Sequence, residues 1–262
     1  SEMCIRDRGN TVSPGDMIEI YGADTVRLFI LFGANPEAGM DWSDSVLEAN
    51  NRQMNSIIEA INNGLNMENI ESKMDNWLLS KLRKNQVLWI KSMSNVGIRE
   101  GVMLSHFSML SDWSWYCRRG GNNYKIAKSF IKGWLPMISP VTPHVAEEFW
   151  YRLNEDGLLA SYILPEITEH EDDSYVLAQE EYLRGVIDSA RNVKGLAQRH
   201  SNQKITTLTI QTSPEWKKNL AKEVIKLQKE DFSFKKEGIN YLKSLSIFAK
   251  DELRAEIFQT WN

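Results

Sequence analysis

Five cations stand between Trp113 and Trp134 with no acid among them: Arg118, Arg119, Lys125, Lys128 and Lys132. Exposed cations in such a run neutralise phosphates and release counterions, which gives nucleic-acid affinity without sequence information. Trp113, Trp115 and Tyr116 lie just before or among them, and rings of this kind stack on unpaired bases. Three aromatics within four residues of one helix cannot all face one core, so at least one belongs near the surface. A second run without acids holds Arg191, Lys194, Arg199 and Lys204. The acids gather elsewhere, as in the stretch 166–173. A net charge of −4 excludes a protein coated in basic surface but leaves room for a local stripe. Solvated helix faces are the alternative for both runs.

Little else in the chain suggests chemistry. Cys4 and Cys117 are the two cysteines and form no CxxC pair, so neither a disulfide framework nor a metal site is expected. A reducing cytoplasm is the default compartment. His144 has no evident nucleophile or orienting acid beside it and reads as a helix-start residue. No apolar run approaches the ~18 residues of a membrane span, and Ser1–Arg8 lacks the apolar centre of a signal peptide. The length accommodates one or two domains.

Helices must carry these candidates. Ser13-Pro14 opens the first, with a serine cap and a proline whose missing N–H costs nothing there. Gly22 fits the left-handed residue that closes it, and Asp24 is placed to cap the next helix, which carries Val26, Leu28 and Phe29. Pro36 and Gly39 interrupt. Asp41-Trp42-Ser43 then starts a long polar helix to about Asn66. From Asp75, Leu78, Leu82 and Trp89 share a face. A helix from about Arg99 to Arg118 puts Met103, Phe107, Leu110 and Cys117 on one side. The turn Gly120–Asn123 leads to a helix from Tyr124 that ends near Pro136. Thr142-Pro143 opens a shorter one with Val145, Phe149 and Leu153 in a stripe. Pro165–Ser174 reads as an acidic linker, followed by a helix from about Leu177 to Gln198 whose buried face is Leu183, Ile187, Ala190, Val193 and Ala197. Residues 204–211 are β-branched and form the one convincing strand, which needs partners it does not itself supply. The chain stops at Trp261-Asn262 inside an apparent helix and reads as truncated. The fold class expected is mainly α: a helical bundle followed by a smaller α/β C-terminal module.

Five segments carry a resemblance. Arg8-Gly9-Asn10, with Tyr21-Gly22-Ala23-Asp24 after it, resembles the segment C-terminal to the KMSKS loop of class I aminoacyl-tRNA synthetases. Asp75-Asn76-Trp77-Leu78-Leu79-Ser80-Lys81-Leu82 resembles the D-x-W-[ML]-L-x-x-L segment of their tRNA-binding bundles. Ser139-Pro140-Val141-Thr142-Pro143-His144-Val145-Ala146-Glu147-Glu148-Phe149-Trp150 resembles the shared [AS]-P-x-x-P-H-x-[AC]-E-E-[LIF]-W element, in which the paired glutamates suit the positive end of a helix. Trp113-Ser114-Trp115-Tyr116-Cys117-Arg118-Arg119 resembles the R-W-Y-x-R-R segment of leucyl-tRNA synthetases of the archaeal and eukaryotic-cytosolic type, with Ser114 in place of the usual arginine. Ser213-Pro214-Glu215-Trp216-Lys217 fits the C-terminal region of that type.

The resemblance implies the C-terminal portion of a leucine–tRNA ligase. Residues 1–34 would end the catalytic domain, 35–168 form the tRNA-binding bundle, and 169–262 form the C-terminal module. Isoleucyl, valyl and methionyl enzymes, or a non-catalytic RNA- or protein-binding module, are the alternatives. Where the family places its lysine-rich loop the chain reads Met3-Cys4-Ile5-Arg6-Asp7, so Arg6, Arg8, Gly9 and Asn10 are a remnant of the ATP loop. Asp7 would repel pyrophosphate, and no catalytic set is intact. ATP with Mg2+ would serve the full-length enzyme, and this fragment would bind neither. The implied partners are tRNA, in particular leucine tRNA, and the missing catalytic half, in a cytoplasmic monomer away from membranes. The implied tRNA contacts are Trp115, Arg118, Arg119, Lys125, Lys128 and Lys132, with Arg191, Lys194 and Lys217 as a weaker set and no metal ligand.

Overall fold

The computed structural model describes residues 12–33, 42–168, 170–201 and a few positions from 206 to 222. Among them are helices α1 (Pro14–Tyr21), α2 (Ala23–Gly33), α3 (Asp44–Leu65), α4 (Met74–Ser94), α5 (Ile98–Val102), α6 (Met109–Arg118), α7 (Tyr124–Ile138), α8 (Pro143–Arg152) and α9 (Asp173–Ser201). A π-helical segment, Met103–Ser108, joins α5 to α6. The strands β1 (Asn69–Ile70) and β2 (Asn122–Asn123) pair antiparallel. The protein is a mainly α bundle. It divides into two compact units, Ser1–Ile187 and Asp188–Asn262, and the bundle lies in the first.

The core collects the apolar stripes of α2 to α8. Ile57 and Ile61, Trp77 and Leu78, Met109 and Trp113, Phe130 and Trp134, and Phe149 and Trp150 are all buried in one cluster. Phe130 is the ring that links its neighbours: its centroid lies 5.6 Å from Trp113 and 5.6 Å from Trp134. A smaller cluster of Val26, Phe29 and Leu47 sits beneath Trp42, which meets Phe29 edge-on at 4.8 Å.

Polar hubs set how these helices meet. Asp75 is buried at the start of α4, in a capping box with Ser72: Ser72 Oγ accepts from the Met74 amide, and Asp75 accepts from the Ser72 amide. The same carboxylate accepts from Tyr116 Oη at 2.8 Å and Asn123 Nδ2 at 2.7 Å, tying α4 to the end of α6 and to β2. Burial and the neighbouring Asp75 push the Tyr116 hydroxyl pKa upward, so it stays a donor. The two glycines after α6 have separate causes. Gly120 takes φ +87°, a backbone that side chains resist, whereas a Cβ on Gly121 would stand 2.3 Å from Tyr116 Cζ.

A second hub joins the α1–α2 turn to α8. Asp24 is placed by sequence to cap α2, but its carboxylate instead caps α8, 120 residues away. It accepts from the Val145 amide at 2.8 Å and from His144 Nδ1 at 2.8 Å. One turn further along α2, Arg27 donates to the carbonyls of Val141 and Pro140. An acid at the amide end of a helix and a cation on the carbonyls just before it match the local backbone charges. An orienting acid for His144 therefore exists; its distance in sequence hid it. Glu147 and Glu148 do not serve the start of α8 either: Glu147 accepts from the Leu159 and Ala160 amides, and Glu148 pairs with Arg152.

Other expectations also shift. On the expected face Met103 and Cys117 are exposed and Phe107 and Leu110 only partly buried against the core; the buried residues are Val102, Ser105, His106, Met109, Asp112, Trp113 and Tyr116. The π segment inserts extra backbone, and three polar residues turn inward because each finds a partner, which hydrophobic periodicity cannot register. Pro136 lies inside α7, whose last turn continues to Ile138. The helix α9 starts at Asp173, so the linker is shorter. On it Leu183, Ile187, Ala190 and Ala197 are only partly buried and Val193 is exposed. Of the expected strand, Thr206, Thr207, Thr209 and Ile210 adopt no regular structure, and 204, 205, 208 and 211 lie outside the described residues.

His106 is wholly buried, with Nδ1 2.8 Å from Ser105 Oγ and Nε2 3.1 Å from Thr142 Oγ1. Burial lowers its pKa from 6.5 to about 3. Between those values the unfolded chain binds a proton that the fold refuses, so stability rises with pH across this window. Acidification from about pH 6.5 to 4.5 should cost about 1 kcal/mol per unit in urea melts, and His106→Gln should flatten that slope. Equal slopes would refute the assignment. Separately, Gly121→Ala should destabilise by about 1–3 kcal/mol, because Asp75 holds the Tyr116 ring in place. Gly185→Ala, with nothing within 4 Å, should be neutral or slightly stabilising in the same melts.

Candidate nucleic-acid interface

The basic run occupies the end of α6, the Gly120-Gly121 turn and the exposed side of α7. Of the three aromatics near the end of α6, Trp113 and Tyr116 are buried, and Trp115 is the one near the surface. It is not idle there. Its indole N–H donates to Glu180 Oε1 of α9 at 2.8 Å, and the Arg184 guanidinium lies 4.6 Å from its ring centroid.

The twin arginines separate. Arg119 Nε donates to the same Glu180 oxygen at 2.8 Å, which makes it a strut between α6 and α9. Arg118 is exposed, its guanidinium carbon 5.6 Å from the Trp115 centroid, with no carboxylate partner among the described residues. On α7, Lys125, Lys128 and Lys132 recur at spacings of three and four and share one face. Lys132 is occupied by Glu155 at 2.6 Å. Lys125 is exposed and Lys128 half-buried, and neither has an ion-pair partner among the described residues. The structure thus brings Arg118, Lys125 and Lys128 to neighbouring elements with their charges uncompensated.

The weaker set is not brought to this face by anything described. Arg191 pairs with Asp188 at 3.0 Å, and Lys194 is exposed; both lie in the second unit. Arg6, Arg8, Gly9, Asn10 and Lys217 lie outside the described residues.

Three contacts that sequence spacing does not signal hold the first half of α9 on the bundle. Asp173 accepts from Arg83 Nε at 2.8 Å and from Ser80 Oγ, and Arg83 holds its carboxyl well below the usual carboxylate range. Glu180 takes Trp115 and Arg119. Arg184 reaches Asp112 at 3.5 Å, where Lys81 at 3.6 Å and Asn85 at 3.0 Å also converge. Positions 173, 180 and 184 follow helical spacing on one face, and Val176 and Leu177 pack against the core beside them, so α9 docks through polar and apolar groups together. Beside these contacts a cleft of about 560 Å³ opens, lined by Ser80, Lys81, Lys84, Ser174, Leu177 and Glu181. The three ion pairs join residues 61 to 90 positions apart, and so no local pattern announces them.

Residues 75–210 match the family described as the anticodon-binding domain of tRNA ligase. The chain belongs to that family. Over 221 residues it is 29% identical to a leucine–tRNA ligase of Pyrococcus abyssi, covering 81% of this chain and 22% of that protein. Over 266 residues it is 25% identical to the leucine–tRNA ligase of Archaeoglobus fulgidus, covering 98% of this chain and 28% of that protein. The chain therefore spans about a quarter of the length of these relatives. In fold it is similar to the LeuRS–tRNA–LeuAMS ternary complex of Agrobacterium radiobacter K84, at 20% identity and a TM-score of 0.54 over 63% of this chain and 22% of that one. In this member of the anticodon-binding domain family, no described helix is long and apolar enough to cross a membrane.

Removing the shared acceptor should free α9. Glu180→Ala leaves the Trp115 N–H and the Arg119 guanidinium without their partner. Amide hydrogen exchange in residues 173–187 should rise by at least about tenfold, with the core helices α3 and α7 unchanged. Unchanged protection in 173–187 would show that the Glu180 contacts are not needed to hold this segment.

Proposed function

We propose that this chain is the tRNA-binding part of a leucine–tRNA ligase, whose complete form activates leucine with ATP and transfers it to tRNA. Residues 1–34 then close a catalytic domain, 35–168 form the bundle, and 169–262 form a C-terminal module. The observation that carries RNA binding is the set Arg118, Lys125 and Lys128, none with an ion-pair partner among the described residues, within a domain of the tRNA ligase family. Phosphates fit such a set because each uncompensated cation releases a counterion on contact. The likeness to archaeal leucine–tRNA ligases favours leucine tRNA over other tRNAs. ATP and Mg2+ belong to the catalytic half in this reading, and the fragment itself works as a cytoplasmic monomer.

Binding of the full chain to leucine tRNA, measured across salt concentrations, tests the reading. The wild-type affinity should fall steeply with salt. The triple variant R118A/K125A/K128A should bind more weakly and show a log–log slope shallower by about 2–3. A slope identical to wild type would remove these residues from the interface. Addition of a separately expressed catalytic half should restore leucine-dependent pyrophosphate exchange and charging. Equal affinity for tRNAs lacking a long variable arm would count against leucine.

A further inference from the structure

The sequence presents Arg118 as one phosphate-binding cation among several, but its surroundings differ from those of the α7 lysines. We propose that Arg118 is a stacking platform for an unpaired RNA base, with its guanidinium plane held in place by Trp115. The proposal rests on the tRNA-binding reading and refines it. Trp115 is itself fixed: its N–H is committed to Glu180, and Arg184 sits 4.6 Å from its centroid. Arg184 in turn lies 5.1 Å from the Trp77 centroid, so rings and guanidiniums alternate from Trp77 through Arg184 and Trp115 to Arg118. Arg118 is the exposed end of that series.

Two physical points favour a base at this end. A guanidinium is planar and weakly hydrated and stacks on π-faces, unlike the compact, strongly hydrated lysine ammonium. A side chain already resting on a fixed ring also loses less freedom when a second flat group joins it. Arg119 offers no such platform, because Glu180 compensates its charge. The ring of Trp115, by contrast, carries the platform and is not the surface on which the base stacks. Arg guanidinium planes are an established class of stacking partner for splayed RNA bases.

Lysine replacement separates stacking from charge. This chain, as wild type, Arg118→Lys and Arg118→Ala, is titrated with leucine tRNA, with single-stranded oligoadenylate, and with an abasic oligomer of equal length and charge. Wild type should prefer oligoadenylate to the abasic oligomer by roughly tenfold. Both variants should lose that preference and a similar factor on tRNA, with Arg118→Lys keeping the wild-type salt slope. Wild-type affinity in Arg118→Lys, or equal wild-type binding of the oligoadenylate and the abasic oligomer, would overturn the proposal while leaving tRNA binding intact. Failure of the wild type to bind any RNA would overturn both.

Discussion

A carboxylate taken out of water must find donors, and this bundle is organised around that requirement. Asp24, Asp75, Asp112, Asp173 and Glu180 are all buried, and each is satisfied by groups from another element. A buried acid with the wrong neighbours costs several kcal/mol, on the order of the whole margin of stability. Apolar stripes bring the helices together in many related arrangements. The acids admit few of them, since donors have to arrive within hydrogen-bond distance at five separate places.

That constraint also sorts the cations. Where an acid is buried on a neighbouring helix, the arginine or lysine beside it becomes a strut, as with Arg83, Arg119 and Arg184. Where none is, the charge stays available to a partner in solution, as with Arg118, Lys125 and Lys128. Adjacent residues in the chain therefore fall into different roles: Arg119 joins α6 to α9, and Arg118 faces outward. The polar docking of α9 matters for the same reason. The partly buried struts are screened by salt less than the exposed cations Arg118 and Lys125, so salt acts on the two sets unequally.

Much of the bundle was legible from local pattern. The starts at Ser13-Pro14 and Thr142-Pro143, the glycine at 22, the long helix from the Trp42-Ser43 turn and the turn at Gly120 all emerge where caps and breakers indicate them. The basic run was legible too, as was the need for one of Trp113, Trp115 and Tyr116 to approach the surface. The inward face of α5–α6 was not, because Ser105 is buried against the Gly101 carbonyl and His106, His106 against Thr142, and Asp112 against groups of α4 and α9, and periodicity counts polar residues as outward. Nor was the role of Asp24, whose donor on His144 lies 120 residues downstream.

By itself, the sequence determined the helices, their order, the basic stretch between Trp113 and Trp134, and the family motifs at 75–82 and 139–150. These are properties of neighbouring residues, set by backbone propensity and by charge along a few turns. Only the tertiary structure decided which cations are compensated, which aromatic is pinned at the surface, and where Asp24, Asp75 and Glu180 spend their charge. Those outcomes depend on the distance between groups far apart in the chain, and electrostatic and hydrogen-bond energies change steeply over that distance.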